Sequence, residues 1–141
     1  MSGPTHHAGW ECVHHFPRYA NTQVAVYVSR HILFDYYISF DPLESPDANL
    51  LILRLTRVLD GNVSTLVCLY NPPATNNSSV FALLTLLCGH RLEPTLLQGD
   101  FNLHHEEWDP HTTSTSIISH DLLNELTLAG LTLVNNDSAA T

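Results

Sequence analysis

The chain has 141 residues, of which 44% are apolar and 13% charged, and its 14 acidic against 5 basic side chains give a formal net charge of −9. One globular domain fits this length, and the composition is too apolar for extended disorder. All five bases are arginines (Arg18, Arg30, Arg54, Arg57 and Arg91), so the Lys/Arg stripe of a passive nucleic-acid-binding module is missing, whereas an enzyme that reverses the local sign with a divalent cation is not excluded.

Residues 1–22 hold Gly3, Pro4, Gly9, Pro17 and the pairs His6-His7 and His14-His15 without a sustained period, and are expected to be an irregular lead-in. They have neither a basic n-region nor an apolar h-region, so a secretory signal is not expected. Gln23 to Arg30 alternates apolar and polar residues as a strand does, and Ile32 to Phe40 reads as a second strand. The acidic, proline-rich segment from Asp41 to Asp47 is a predicted loop.

Asn49 to Arg57 and Val63 to Tyr70 are strand-like runs on either side of Asp60-Gly61-Asn62, a hairpin signal that predicts antiparallel neighbours. Pro72 and Pro73 then forbid further sheet pairing. From Ser79 to Leu87 the spacing of Val80, Phe81, Leu83, Leu84, Leu86 and Leu87 predicts a helix behind an Asn76-Asn77-Ser78 capping cluster, with Gly89 as its stop. Pro94 to Phe101 follows as a short buried strand, expected to be the central one. A polar loop leads to a second helix from about Ile117 to Ala129, with Ile118, Leu122, Leu126 and Ala129 on one face and Gly130 as its stop. Leu131 to Val134 is one more predicted buried strand. The order implies an α/β layered architecture with a mixed sheet.

Cys12, Cys68 and Cys88 are odd in number and widely spaced, which argues against a disulfide framework or a zinc ribbon and for a reducing compartment. No apolar run approaches the roughly 18 residues that span a bilayer. An intracellular protein without a membrane partner is therefore expected.

Chemistry concentrates in Gly99-Asp100-Phe101-Asn102-Leu103-His104-His105. On a strand-like backbone residues two apart share a face, so Asp100 and Asn102 would project together from the C-terminal end of their strand, where open α/β sheets place ligands. Gly99 would let another backbone approach closely. A carboxylate there can take a proton from an attacking water or hold Mg²⁺, and the carboxamide can orient the water or a phosphate oxygen. Both residue types also build turns, and a purely local role stays open. The ten histidines include three adjacent doublets, none spaced with a Cys or acid as a zinc site requires. Glu106, Glu107 and Asp109 read as a solvated loop.

Tyr70-Asn71-Pro72-Pro73, then a helix, then Gly99-Asp100-Phe101-Asn102-Leu103-His104-His105 with Trp108 following, resembles the endonuclease/exonuclease/phosphatase superfamily. In particular it is similar to the endonuclease domain of non-LTR (LINE-like) retrotransposons. Val26-Tyr27-Val28-Ser29-Arg30 resembles that family's early strand, and Leu122-Leu123 with Gly130-Leu131-Thr132-Leu133 its late helix and strand. The resemblance covers about Gly9 to Asn136, in order. It implies that Asp100 activates the water, that Asn102 positions water and phosphate, that both are metal ligands, and that Tyr70 hydrogen-bonds a non-bridging phosphate oxygen. His104 and His105 are expected to brace the loop.

The chain departs from the family pattern in two places. It has no early Asn strand followed by a metal-binding Glu in a Gln-Glu-Pro context, since Glu11 lies in irregular sequence. It has no late Ser-Asp-His, since Ser119-His120-Asp121 has another order and falls in a predicted helix. An incomplete domain over residues 23–136 is therefore expected, flanked by the lead-in and a polar tail at 137–141. The activity implied is nicking of DNA by a Mg²⁺- or Mn²⁺-dependent phosphodiester hydrolase acting in the nucleus, with no particular protein partner. Two alternatives stay open: a non-catalytic remnant that associates through uncovered sheet edges, and a phosphatase of small phosphate esters.

Overall fold

The computed structural model describes residues 7–14, 23–39, 47–73, 76–87, 94–109, 111–112 and 115–134. Its elements run β1 (Trp10–His14), β2 (Ala25–Ser29), a 3-10 turn (Ile32–Phe34), β3 (Tyr36–Ser39), β4 (Leu50–Arg57), β5 (Val63–Tyr70), α1 (Ser78–Leu87), β6 (Thr95–Asp100) and α2 (Ile117–Leu128). β1 and β2 form an antiparallel pair, and a four-stranded mixed sheet has the order β3-β4-β5-β6. β3, β4 and β5 are antiparallel neighbours, while β6 returns through α1 to lie parallel to β5.

The sequences of β4 and β5 explain the layers. Every residue of Leu50–Leu53 and Val67–Leu69 is apolar and buried, as in strands covered on both faces. Leu50, Ile52, Val67 and Leu69 point to one face and meet Val80, Leu83 and Leu87 of α1 and Leu122 of α2. Leu51, Leu53 and Cys68 point to the other, where Val13, Val24 and Val26 of the β1–β2 region cover them. Full burial of each such leucine contributes on the order of 1.5–3 kcal/mol.

The hairpin between β4 and β5 forms as its turn residues require. Gly61 takes a φ of 71°, and the Asp60 carboxylate accepts from the backbone and side-chain amides of Asn62 and from the Arg57 guanidinium. α2 starts at Ser116, whose hydroxyl accepts from the Ser119 amide. It stops at Gly130 (φ 79°), where Gly130 N–H donates to the Thr127 carbonyl and Leu131 N–H to the Leu126 carbonyl, a Schellman closure. Ile118, Leu122, Leu126 and Ala129 share the inward face, as their spacing predicts.

Several expectations are corrected. Trp10–His14 is a strand and not irregular lead-in, because pairing with β2 and the seating of Val13 on the sheet supply what its short alternation lacks. Ile32–Phe34 is a 3-10 turn, held by bonds such as Asp35 N–H to the Ile32 carbonyl, where the chain passes from one sheet to the other. β6 is the outer strand and largely exposed, with Leu96 54% accessible, because no described strand lies beyond it. Leu131–Val134 joins no sheet, and Leu133 and Val134 are exposed, because nothing described pairs with them. Asn77 begins α1 through its backbone, its carbonyl accepting from Phe81 N–H, while its side-chain oxygen is used elsewhere. Most of the 41–47 loop, Gly89 and the tail lie outside the described residues. Among the described residues no helix is long and apolar enough to cross a membrane.

Candidate functional site

β5 and β6 end side by side. In their parallel register Leu69 faces Gly99 and Tyr70 faces Asp100, so the phenol and the carboxylate leave the same face of the sheet at its C-terminal end. Gly99 is required for this closeness, since a Cβ on it would lie 1.9 Å from the Leu69 carbonyl oxygen. Asp100 is exposed and Tyr70 half-buried.

The strand does not continue to Asn102, as sharing a face would require. Asn102 takes a φ of 46°, and its N–H donates to Asp100 Oδ1 at 3.0 Å, a turn closed by the carboxylate itself. The Asp100 carboxylate thus meets the Asn102 backbone, through this turn and not through strand alternation. Asn102 Nδ2 donates to the Asn71 carbonyl at 2.7 Å, which ties the loop after β6 to the end of β5.

Asn71 is the residue that the sequence reading left without a role. It is 1% exposed, its N–H donates to the Asp100 carbonyl at 2.8 Å, and its Nδ2 donates to the Phe101 carbonyl at 2.8 Å and to Asn77 Oδ1 at 2.9 Å. On the far side of Tyr70, its N–H donates to the Asn49 carbonyl, and Asn49 Oδ1 accepts from Gln23 N–H. The Asp47 carboxylate accepts from Asn49 N–H and from the buried Ser79 hydroxyl, fastening the start of β4 to α1. Asparagine after Tyr70 is the only sequence signal for this network, because the partners of Asn71 at Asp100 and Phe101 lie about thirty residues on.

The loop beyond is braced by its own side chains. His105 is 2% exposed; the Glu107 N–H donates to its Nδ1 at 3.0 Å, so that nitrogen carries a lone pair and Nε2–H faces His120 Nδ1 of α2 at 3.2 Å. Trp108 stacks on His105 with ring centroids 4.9 Å apart and donates its indole N–H to the Leu103 carbonyl. His104 Nδ1 lies 2.7 Å from Asp109 Oδ2, and this hydrogen bond is the main reason the Asp109 carboxyl is held below the usual carboxylate range. Both histidines thus have local partners. Among the described residues no group of three or more His, Cys, Asp or Glu side chains is placed to hold a metal ion. Glu106 and Glu107 are exposed, Glu11 stands on β1 opposite Val28, and Ser119-His120-Asp121 is helical.

Over residues 64–141, more than half of its length, the sequence matches the model of the endonuclease-reverse transcriptase family. The chain belongs to that family. The matched region runs from β5 onward and includes Tyr70, Asn71, Asp100 and Asn102. The fold is similar to that of the endonuclease domain of TRAS1, a telomere-specific non-LTR retrotransposon, with a TM-score of 0.64 and 17% identity over 91% of this chain. The chain spans 56% of that structure, little more than half. No curated protein sequence matches it. In this member of the endonuclease-reverse transcriptase family the α/β sandwich brings Tyr70 beside Asp100 and turns Asn102 back onto the Asp100 carboxylate, with Asn71 bonded to both the Asp100 and the Asn102 segments.

Proposed function

We propose that the ends of β5 and β6 form the catalytic half of a phosphodiester hydrolase that nicks DNA. The observation that carries this reading is the register of Tyr70 with Asp100 at adjacent parallel strand ends, with Asn102 turned back onto Asp100. Asp100 takes the proton of the attacking water, its exposed carboxylate having lone pairs beyond the one that closes the turn. Asn102, held through its Nδ2, leaves its Oδ1 to orient that water or to serve as a ligand. The Tyr70 hydroxyl donates to a non-bridging phosphate oxygen, whose negative charge grows in the transition state.

The donor set fits a hard divalent cation: oxygen ligands, one of them charged, on an exposed strand end. Asp100 and Asn102 would hold Mg²⁺ or Mn²⁺, which is commonly bound by one or two carboxylates together with substrate phosphates and water, and which would supply charge neutralisation to a chain with a net charge of −9. Nuclear action is proposed on the family resemblance alone.

One observation favours a second reading, a non-catalytic domain that associates through its sheet. β6 is the outer strand of its sheet, and Leu96 on it is exposed. Incubating the chain with supercoiled plasmid, and separately with inositol phosphates and nucleotides, in Mg²⁺ and in EDTA separates the readings. Metal-dependent conversion to open circles without release of phosphate from the small esters is expected. Preference for the small esters would move the activity to a phosphatase, and a folded protein inert toward all of them would leave the association reading.

A further inference from the structure

We infer that Asn71 is a positioning residue of this site, setting Asn102 through a three-asparagine relay that begins at the start of α1. This rests on the phosphodiester-hydrolase reading above. The orientation of the Asn71 amide is fixed by its neighbours: Nδ2 faces two oxygens, the Phe101 carbonyl at 2.8 Å and Asn77 Oδ1 at 2.9 Å, and a reversed amide would set oxygen against both. The backbone of Asn71 completes the relay. Its N–H holds the Asp100 carbonyl, and its carbonyl accepts from Asn102 Nδ2 at 2.7 Å. One residue therefore clamps Asp100, Phe101 and Asn102 in succession.

The Asn71 amide also carries a cost: among the described residues its Oδ1 is buried without a hydrogen-bond partner. Asn77 and Asn102 also sit at positive φ, 60° and 46°, where non-glycine residues are uncommon, so the relay holds two unfavourable backbone positions in place. An orphaned acceptor and two left-handed asparagines around a pair of strand ends mark a region held for geometry.

The test compares wild-type, Asn71→Asp and Asn77→Gly chains by plasmid nicking and by exchange of the Asn102 side-chain amide in NMR. Asn71→Asp keeps the volume but turns acceptors toward the Phe101 carbonyl and Asn77. Asn77→Gly keeps the positive φ and the capping carbonyl and removes the side chain that carries Oδ1, so it remains decisive where Asn71→Asp fails to fold. Displacement of a reacting group by about 1 Å can cost roughly 100-fold; a kcat loss of that order is expected for Asn71→Asp, and a smaller one for Asn77→Gly. KM should stay within about twofold in both, with loss of protection at the Asn102 amide. Unchanged kcat in both variants, or an Asn102 amide as protected as in wild type, would overturn the inference. If the wild-type chain does not nick, the hydrolase reading fails by itself, and the amide exchange still decides whether Asn71 sets Asn102.

Discussion

Gly99→Ala is the sharpest perturbation of the strand pair that carries the site. A Cβ at this position would meet the Leu69 carbonyl oxygen at 1.9 Å, its carbon at 2.8 Å and its nitrogen at 2.9 Å, all backbone atoms of the neighbouring strand. Ordinary contact begins near 3.4 Å, so β6 must withdraw from β5 by about 1.5 Å at this pair. Leu69 is 2% exposed inside the sheet and cannot yield, whereas β6 is the outer strand and can. Overpacking of this kind costs about 1–3 kcal/mol. With a urea slope of about 1–3 kcal/mol per molar, the unfolding midpoint should fall by roughly 1 M. The next pair along is Tyr70 with Asp100, so the same withdrawal separates the two proposed site residues. Urea titration followed by far-UV circular dichroism measures the first effect and plasmid nicking the second. A Gly99→Ala chain with an unchanged midpoint would refute the reasoning from the close approach of the strands.

Leu122→Ala should cost about 2–5 kcal/mol, because Leu122 is 1% exposed and joins α2 to the core against β4, β5 and α1; urea denaturation checks it. His105→Ala should release the 105–109 loop, seen as lost exchange protection of the Glu107 amide and a red shift of Trp108 fluorescence, since Glu107 N–H and the Trp108 ring both rest on His105. The Asp60 carboxyl should titrate at about 2, lowered from 3.8 mainly by its hydrogen bond with Arg57. Because the folded value is the depressed one, the turn's contribution is present above 3.8 and disappears as pH falls through about 2. In Arg57→Ala the Asp60 titration followed by NMR should move back toward 3.8.

Much of the fold was legible because local signals and tertiary structure agree. β4, β5 and their turn follow from two apolar runs around Asp60-Gly61-Asn62, and α2 from its inward face between Ser116 and Gly130. What stayed hidden was set by partners distant in sequence. Nothing local in Trp10–His14 announces the β2 strand that pairs with it, and the apolar run of β6 does not reveal that it is the outermost of the described strands. At the site, Tyr70, Asp100 and Asn102 were visible as residue types, but the turn that joins Asp100 to Asn102 depends on a positive φ that an alternating strand pattern does not anticipate. Asn71 was invisible as a structural element because its partners lie at and just after the end of β6 and just before α1. His105 was partly legible: a bracing role was expected, but its neighbour His120 lies fifteen residues away on α2.

The central claim is that Asp100 and Tyr70, in register at the ends of two parallel strands, perform metal-assisted phosphodiester hydrolysis. Its most direct test is the rate of plasmid nicking in Mg²⁺ by folded wild-type, Asp100→Ala and Tyr70→Phe chains, with EDTA as control. Nicking that disappears in EDTA, falls by at least about 100-fold in Asp100→Ala and falls by a smaller factor in Tyr70→Phe is expected, general acid–base groups being worth 10²–10⁴-fold. A folded wild-type chain that does not nick, or an Asp100→Ala chain that nicks as fast as wild type, would contradict it.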